Sequence, residues 1–338
     1  MRHKISTIAR SLTYPDLCDA PQTLTLPSIQ GVLSNVMFID HTHPETACTA
    51  MTEHQSHTNP QEAVLTCLIV QHLLDQGYKG SNIVVLTPDL GHLLEIKHQM
   101  KLTGSANERV EHEDIDDLRS AGERVEEEHN DFFYGNDERR AVRISTIDNF
   151  QGEEADIVVL SLVRNNDKCS INFMKESERV NVMLSRALCG LITLGTKRYL
   201  ESCDSVKGRI LWTKFFQLMQ CDGHAVLPGL PVQCKHHPET KRFLKNANDF
   251  DRAANGGCDL PCAVKLKCGH ECPINSTLTM TMQAYCVLYN TSSTAHKATS
   301  WTTIVAMDRS REQRTLRQPE RCNGKSKCDM NNSLRLLL

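Results

Sequence analysis

The sequence predicts an α/β fold with a parallel sheet covered on both faces, and three observations carry that expectation. β-branched runs alternate with helical patterns; polar and Gly-containing turn residues separate them; and 40% hydrophobic content over 338 residues is enough to bury at least one sizeable core.

The elements follow in order. An apolar strand from Asn35 to Asp40 ends in Asp40-His41-Thr42-His43-Pro44. Pro60 opens a helix with Val64, Leu65, Leu68, Ile69, Leu73 and Leu74 on one face, stopping at Gly77. A second strand, Ile83 to Leu86, runs into Thr87-Pro88 and a helical pattern through Leu90, Leu93, Leu94, Ile96 and Met100. Strands Ala141 to Ile147 and Ile157 to Leu162, a helix around Glu176 to Leu188, a strand Gly190 to Leu194 and a helix from about Val206 to Gln220 continue the alternation.

Residues 105–140 break the pattern with Glu111, Glu113, Asp114, Asp116, Asp117, Glu126, Glu127 and Glu128 and few large apolar residues. Such an insertion is expected to be a solvated helical or disordered excursion rather than part of a core. After Cys221 the alternation stops. Pro228, Gly229 and Pro231 mark a linker over 222–233, leading into a Cys/His region at 234–272. From 273 to 338 the chain turns to Ser, Thr, Asn and Met, and a disordered tail is expected.

A formal net charge of −3 excludes a generally basic nucleic-acid coat, although a local basic face is invisible in that sum. Of the fifteen cysteines, those between Cys234 and Cys272 cluster beside histidines, which suits a metal site in a reducing compartment better than a disulfide framework. No apolar run is long enough to span a bilayer, and the N-terminus lacks the apolar core of a secretory signal. Arg2, Lys4 and Arg10 with no acid before Asp16 superficially suggest a transit peptide, but the first helix of a domain is the expected reading.

Chemistry concentrates in two stretches. In Asp148-Asn-Phe-Gln-Gly-Glu-Glu-Ala-Asp156, Gly152 permits close backbone approach, while Gln151 and Glu154 can hydrogen-bond sugar hydroxyls or phosphate-linked water. Ser145 and Thr146 lie near the C-terminal end of the preceding strand, where open α/β sheets bind ligands and hydroxyls can meet nucleic-acid phosphates. Downstream, Arg179 and Arg186 are spaced to lie about two turns apart on nearly one helix face. Their guanidinium groups suit phosphate oxygens; ion pairs with Glu176 or Glu178 satisfy the same spacing.

The second stretch offers Cys258, Cys262, Cys268, His270 and Cys272, from which four ligands can close a tetrahedron around zinc, with Gly269 allowing the turn. No G-x-x-x-x-G-K-S/T phosphate loop is found. Gly324-Lys325-Ser326 comes nearest, but Pro319 stands at the first glycine position.

The linked strings STIDNFQGEEADIVVLSLVRNN and ERVNVMLSRA resemble motifs V and VI of Upf-like superfamily 1 helicases. VMFIDHTHPE and NIVVLTPDLGHLLEIKHQM resemble the opening strand and motif IV region of the same second RecA-like domain, with Asp89 and His92 where an aromatic residue and a Gln are common. MRHKISTIARSL resembles the tail of the family's Gln-x-Arg-Met element, so residues 1–34 are expected to be a truncated entry to a RecA-like domain at 35–221. GGCDLPCAVKLKCGHEC resembles the start of an NFX-type zinc finger, expected to be incomplete because the downstream Cys-His pair is missing. Together these point to NFX-type zinc-finger-containing superfamily 1 RNA helicases.

The resemblance implies the RecA-like P-loop NTPase fold of a second helicase domain, with ATP bound between two such domains. It assigns Gln151, Gly152 and Glu154 to nucleotide, Arg186 to the γ-phosphate and Arg179 to the same edge, and Thr87, Ser145 and Thr146 to RNA. It implies zinc as cofactor, ATP and Mg only with a complementary first RecA-like domain, and inactivity of this chain alone. RNA and RNA-silencing or antiviral surveillance proteins are the implied partners, in the cytoplasm, RNA granules or nucleus. A non-catalytic zinc-containing RNA or protein adaptor is the alternative.

Overall fold

The computed structural model describes residues 1–47, 56–104, 107–120, 141–220, 225–234, 237, 239–253 and 260. In chain order the elements are α1 (His3–Leu12), β1 (Val36–Asp40), β2 (Thr46–Ala47), β3 (His57–Thr58), α2 (Pro60–Asp75), β4 (Ile83–Thr87), α3 (Leu90–Thr103), β5 (Asn107–Arg109), α4 (His112–Ser120) and β6 (Ala141–Thr146). They continue with β7 (Ala155–Ser161), α5 (Ser177–Leu184), β8 (Ala187–Gly195), α6 (Lys197–Glu201), α7 (Val206–Gln220), β9 (Ala225–Leu227), β10 (Leu230–Gln233), β11 (Lys241–Leu244) and α8 (Ala247–Arg252).

Seven strands form one sheet in the order β5-β6-β4-β7-β8-β1-β9, and every pairing in it is parallel. The expected α/β fold with a parallel sheet is therefore present. Strand alternation divides the core: Val36 and Phe38 of β1 face one layer, Met37 and Ile39 the other. The first layer is closed by α1, α5 and α7 through Ile5, Ile8, Val180, Met183, Trp212, Phe215 and Phe216. The second is closed by α2 and α3 through Leu65, Ile69, Leu73, Leu93, Ile96 and Met100.

Helix ends follow local chemistry. Asn59 caps α2 by accepting from the Glu62 amide at 3.1 Å, with Pro60 in the first turn. Gly104, at φ +57°, ends α3 in the left-handed region that costs glycine least.

Three stretches differ from the sequence expectation. The helix expected around Glu176 to Leu188 ends at Leu184, because β8 begins at Ala187 and its backbone is taken by the sheet. Arg179 and Arg186 therefore do not share a helix face. The acidic insertion supplies β5 to the sheet edge, and α4 buries Leu118 and Asp114. Residues 222–233, expected as a linker, hold β9, which pairs with β1, and β10, which forms a hairpin with β11. That hairpin docks on the entry segment through Leu33 N–H to Pro231 O at 2.9 Å, and Leu230, Val232 and Leu244 join the second core layer. The proposed zinc ligands and the tail 273–338 lie outside the described residues.

Candidate nucleotide and nucleic-acid edges

The strand order places a switch point at β4 and β7: from β4 the chain passes to β5 and then β6 on one side, then returns past β4 to β7 on the other. Open α/β sheets bind ligands outside the carboxyl ends of strands at such points. Thr87, Ser145, Thr146 and Ser161 end β4, β6 and β7 there.

Thr87 is fully buried, its hydroxyl 3.5 Å from the Asp89 amide, and it presents nothing to solvent. Ser145 is also buried, and its hydroxyl donates to Asp114 Oδ2 at 2.6 Å. Thr146 donates to Asp114 Oδ1 from both its amide, at 3.0 Å, and its hydroxyl, at 2.7 Å. Asn149 Nδ2 adds the carboxylate's fourth donor, to Oδ1 at 2.9 Å, and also reaches Asp117 at 2.9 Å. Of the expected RNA-facing hydroxyls, those of Ser145 and Thr146 are thus brought together, around a carboxylate that composition had assigned to solvent, and that of Thr87 is not.

Residues 147–154 carry the chain from the carboxyl end of β6 to the amino end of β7 across the first core layer, pinned by buried Ile147 and Phe150. Gln151, Gly152, Glu153 and Glu154 emerge exposed at the opposite edge. Gly152 has φ +91° with open space where a Cβ would stand, so the glycine serves the turn and leaves the backbone approachable. Arg186 reaches this edge. Its Nε donates to Val182 O at 3.1 Å, Nη1 to Glu153 O at 3.2 Å and Nη2 to Ser185 Oγ at 3.1 Å, while Arg186 O accepts from Ala155 N at 3.0 Å. Arg179, exposed on α5, lies 3.5 Å from Asp148. Gln151, Gly152, Glu154 and Arg186 therefore assemble on one edge, Ser145 and Thr146 on the other, and a short turn anchored by buried Ile147 and Phe150 joins the two.

Beneath the switch point lies a polar layer that sequence reading missed. Glu62, fully buried, accepts from Ser161 Oγ at 2.5 Å, His41 Nε2 at 2.7 Å and the Val163 amide at 2.9 Å. His92 Nδ1 accepts from the Asn59 amide at 3.2 Å, so its proton sits on Nε2 and is donated to Ser161 Oγ at 2.8 Å, whose own proton goes to Glu62. Burial pushes the Glu62 carboxyl up, but His41, then the Ser161 hydroxyl, bring it net below its ordinary value; burial holds His92 down, in keeping with its Nδ1 accepting a hydrogen bond. The layer grips Val163, whose φ of +68° and the 2.6 Å bond from Arg164 N to Leu162 O make a γ-turn that β-branched residues rarely adopt. Asn59 Nδ2 donates to Val163 O at 3.3 Å. Arg164, brought round by the turn, forms a buried pair with Glu45 at 2.9 Å. The sequence signal for this layer was Asn59-Pro-Gln-Glu62, an N-cap pattern whose polar members have a second use.

The chain belongs to the family described as AAA domain, whose model matches residues 1–198, and with its homologues this supports a helicase-family domain. More particularly, it is 32% identical over 268 residues to NFX1-type zinc finger-containing protein 1 of Homo sapiens, an alignment covering 78% of this chain and 12% of that protein. It is 48% identical over 60 residues, 18% of the chain and 6% of its counterpart, to the helicase required for RNAi-mediated heterochromatin assembly 1 of Schizosaccharomyces pombe. It is 30% identical over 145 residues, 43% of the chain and 11% of its counterpart, to the regulator of nonsense transcripts 1 homolog of Neurospora crassa. These homologues are consistent with an Upf-like superfamily 1 helicase, and the chain spans about a tenth of the length of the NFX1-type relatives.

Proposed function

We propose that this chain acts as the second RecA-like domain of an ATP-dependent RNA helicase, giving RNA contacts from Ser145 and Thr146 and an arginine finger from Arg186, and that it works in RNA silencing or antiviral RNA surveillance in the cytoplasm, RNA granules or nucleus. The observation that carries the reading is the turn 147–154. It ties the donor-lined end of β6 directly to the exposed Gln151–Glu154 edge beside Arg186, so displacement at one edge is transmitted to the other through the buried Ile147 and Phe150.

At the nucleotide edge, Gln151 and Glu154 supply acceptors and donors for sugar hydroxyls, and Gly152 lets the backbone approach. Arg186, held by Glu153 O and Val182 O, would exchange those neutral acceptors for phosphate oxygens and stabilise the charge that develops in phosphoryl transfer. Arg179, 3.5 Å from Asp148, would add positive charge at the start of the turn that leads to this edge. A complementary first RecA-like domain supplies the phosphate loop and Mg site. Cys258, Cys262, Cys268, His270 and Cys272 have the soft and borderline donors of a tetrahedral zinc site, in keeping with NFX1-type relatives.

The test is hydrolysis with RNA, with the chain combined with a first-domain polypeptide bearing a phosphate loop. RNA-stimulated turnover is expected, and Arg186→Ala should lower it by about a thousandfold or more. RNA binding with no hydrolysis in the combined system would instead favour the zinc-containing adaptor.

A further inference from the structure

Asp114 is the one carboxylate among the described residues onto which Ser145, Thr146 and Asn149 all converge. Its Oδ1 accepts from Thr146 N, Thr146 Oγ1 and Asn149 Nδ2 at 3.0, 2.7 and 2.9 Å, and its Oδ2 from Ser145 Oγ at 2.6 Å. Ser145 and Thr146 are consecutive in β6, so their side chains leave opposite faces of the sheet, and one group can meet both only by sitting across the strand's carboxyl end. One amide, two hydroxyls and one carboxamide N–H form a cradle of neutral donors for an anion. These are the donor types that take phosphate oxygens in nucleic-acid complexes.

The carboxylate that fills the cradle comes from a lightly held element. Of the nine residues of α4, only Asp114 and Leu118 are buried; Glu113, Asp116 and Asp117 are exposed, and Asp117 stands at the cradle, 2.9 Å from Asn149 Nδ2. While α4 is seated the donors are spent, and the negative charges of Asp114 and Asp117 at the cradle repel a phosphate backbone. Nothing covalent holds the helix there, and Leu118 is its single apolar anchor in the core layer.

We propose that Ser145 Oγ, Thr146 N and Oγ1 and Asn149 Nδ2 form a binding site for a backbone phosphodiester of single-stranded RNA, and that α4 occupies it through Asp114 as an internal competitor that must leave before RNA enters. The proposal rests on the RNA-edge reading above and adds Asn149, the Thr146 amide and the displaceable helix to it. The acidic insertion then sets how readily this domain engages RNA.

Fluorescence anisotropy of a labelled oligouridylate on the full chain tests it. Asp114→Ala should tighten binding by about tenfold, the change expected when a closed form holding about nine-tenths of the molecules is removed. Leu118→Ala, which loosens α4 without touching the cradle, should tighten it in the same direction. Adding Thr146→Val or Asn149→Ala to Asp114→Ala should take the gain away. In the unmodified chain, hydrogen exchange over 112–120 should quicken when oligouridylate is added. Unchanged or weaker binding by Asp114→Ala, with Thr146→Val weakening the unmodified chain, would overturn the competitor and make Asp114 a residue that positions the cradle. If Asp114→Ala, Thr146→Val and Asn149→Ala all bind like the unmodified chain, the RNA-edge reading itself fails.

Discussion

At the residue scale, Glu62 shows how one buried carboxylate holds a strained backbone. Its three donors come from two segments, His41 after β1 and Ser161 with the Val163 amide at the end of β7, and the last fixes a left-handed valine that would otherwise relax. Truncation to alanine strands three buried donors, each costing about 1–3 kcal/mol when left unpaired. Glu62→Ala should therefore lower the unfolding free energy by at least about 3 kcal/mol, read from urea denaturation; a loss under about 1 kcal/mol would mean that water or rearrangement replaces the carboxylate. The departures at Asp89 and His92 from the family pattern belong to this layer. His92 is sealed under Ser161, and Asp89 accepts from the His57 amide at 3.1 Å, so both serve the protein's own backbone and side chains. The Cys67 thiol is pushed by burial up to about 12, which makes it an inert core group.

At the element scale, α2 joins parts of the chain that the sequence reading kept apart. Its His72 is buried between Gly31 O, at 3.3 Å from Nε2, and the Phe250 ring of α8. Burial lowers its pKa from 6.5 to about 4. The folded form thus keeps His72 neutral where the unfolded chain is already protonated, so the unfolded state binds more protons between about pH 6.5 and 4. Stability is fully present above that window and falls as the pH drops through it, by up to roughly 3 kcal/mol. Thermal melts from pH 7 to pH 4 should show this decline, and His72→Gln should shrink it; an equal slope in both proteins would show that His72 is not its source. His92 and His43 are also held down by burial and contribute in the same direction. Elements in the sheet were legible because β-branched runs and helical spacing are local signals, as with Val206–Gln220, found where the periodicity put it. The end of α5 was not, because Val182, Leu184 and Ala187 suit helix and strand alike until pairing with β7 claims Ala187.

At the scale of the whole molecule, one sheet carries both candidate edges and gathers the segments around them: the entry helix α1 helps close the first layer, and the hairpin after β9 the second. Metal content is the measurement that reaches beyond this body. Reduced full-length chain should hold about one zinc ion, and Cys262→Ser should release it while leaving the far-ultraviolet circular dichroism of the sheet intact. Substoichiometric zinc in the unaltered chain would count against the finger. What the sequence determined by itself was the class of fold, the central strands and the helices between them within a few residues, and the residue types of the QGEE and LSRA strings, since alternation, turn residues and those strings are written in neighbouring positions. What only the tertiary structure decided was the strand order that makes a switch point of β4 and β7, the release of Arg186 from its helix, and the seating of Asp114 on Ser145, 31 positions away. Pairing between strands and hydrogen bonds across such separations depend on which surfaces meet in the packed core, and no local periodicity encodes that meeting.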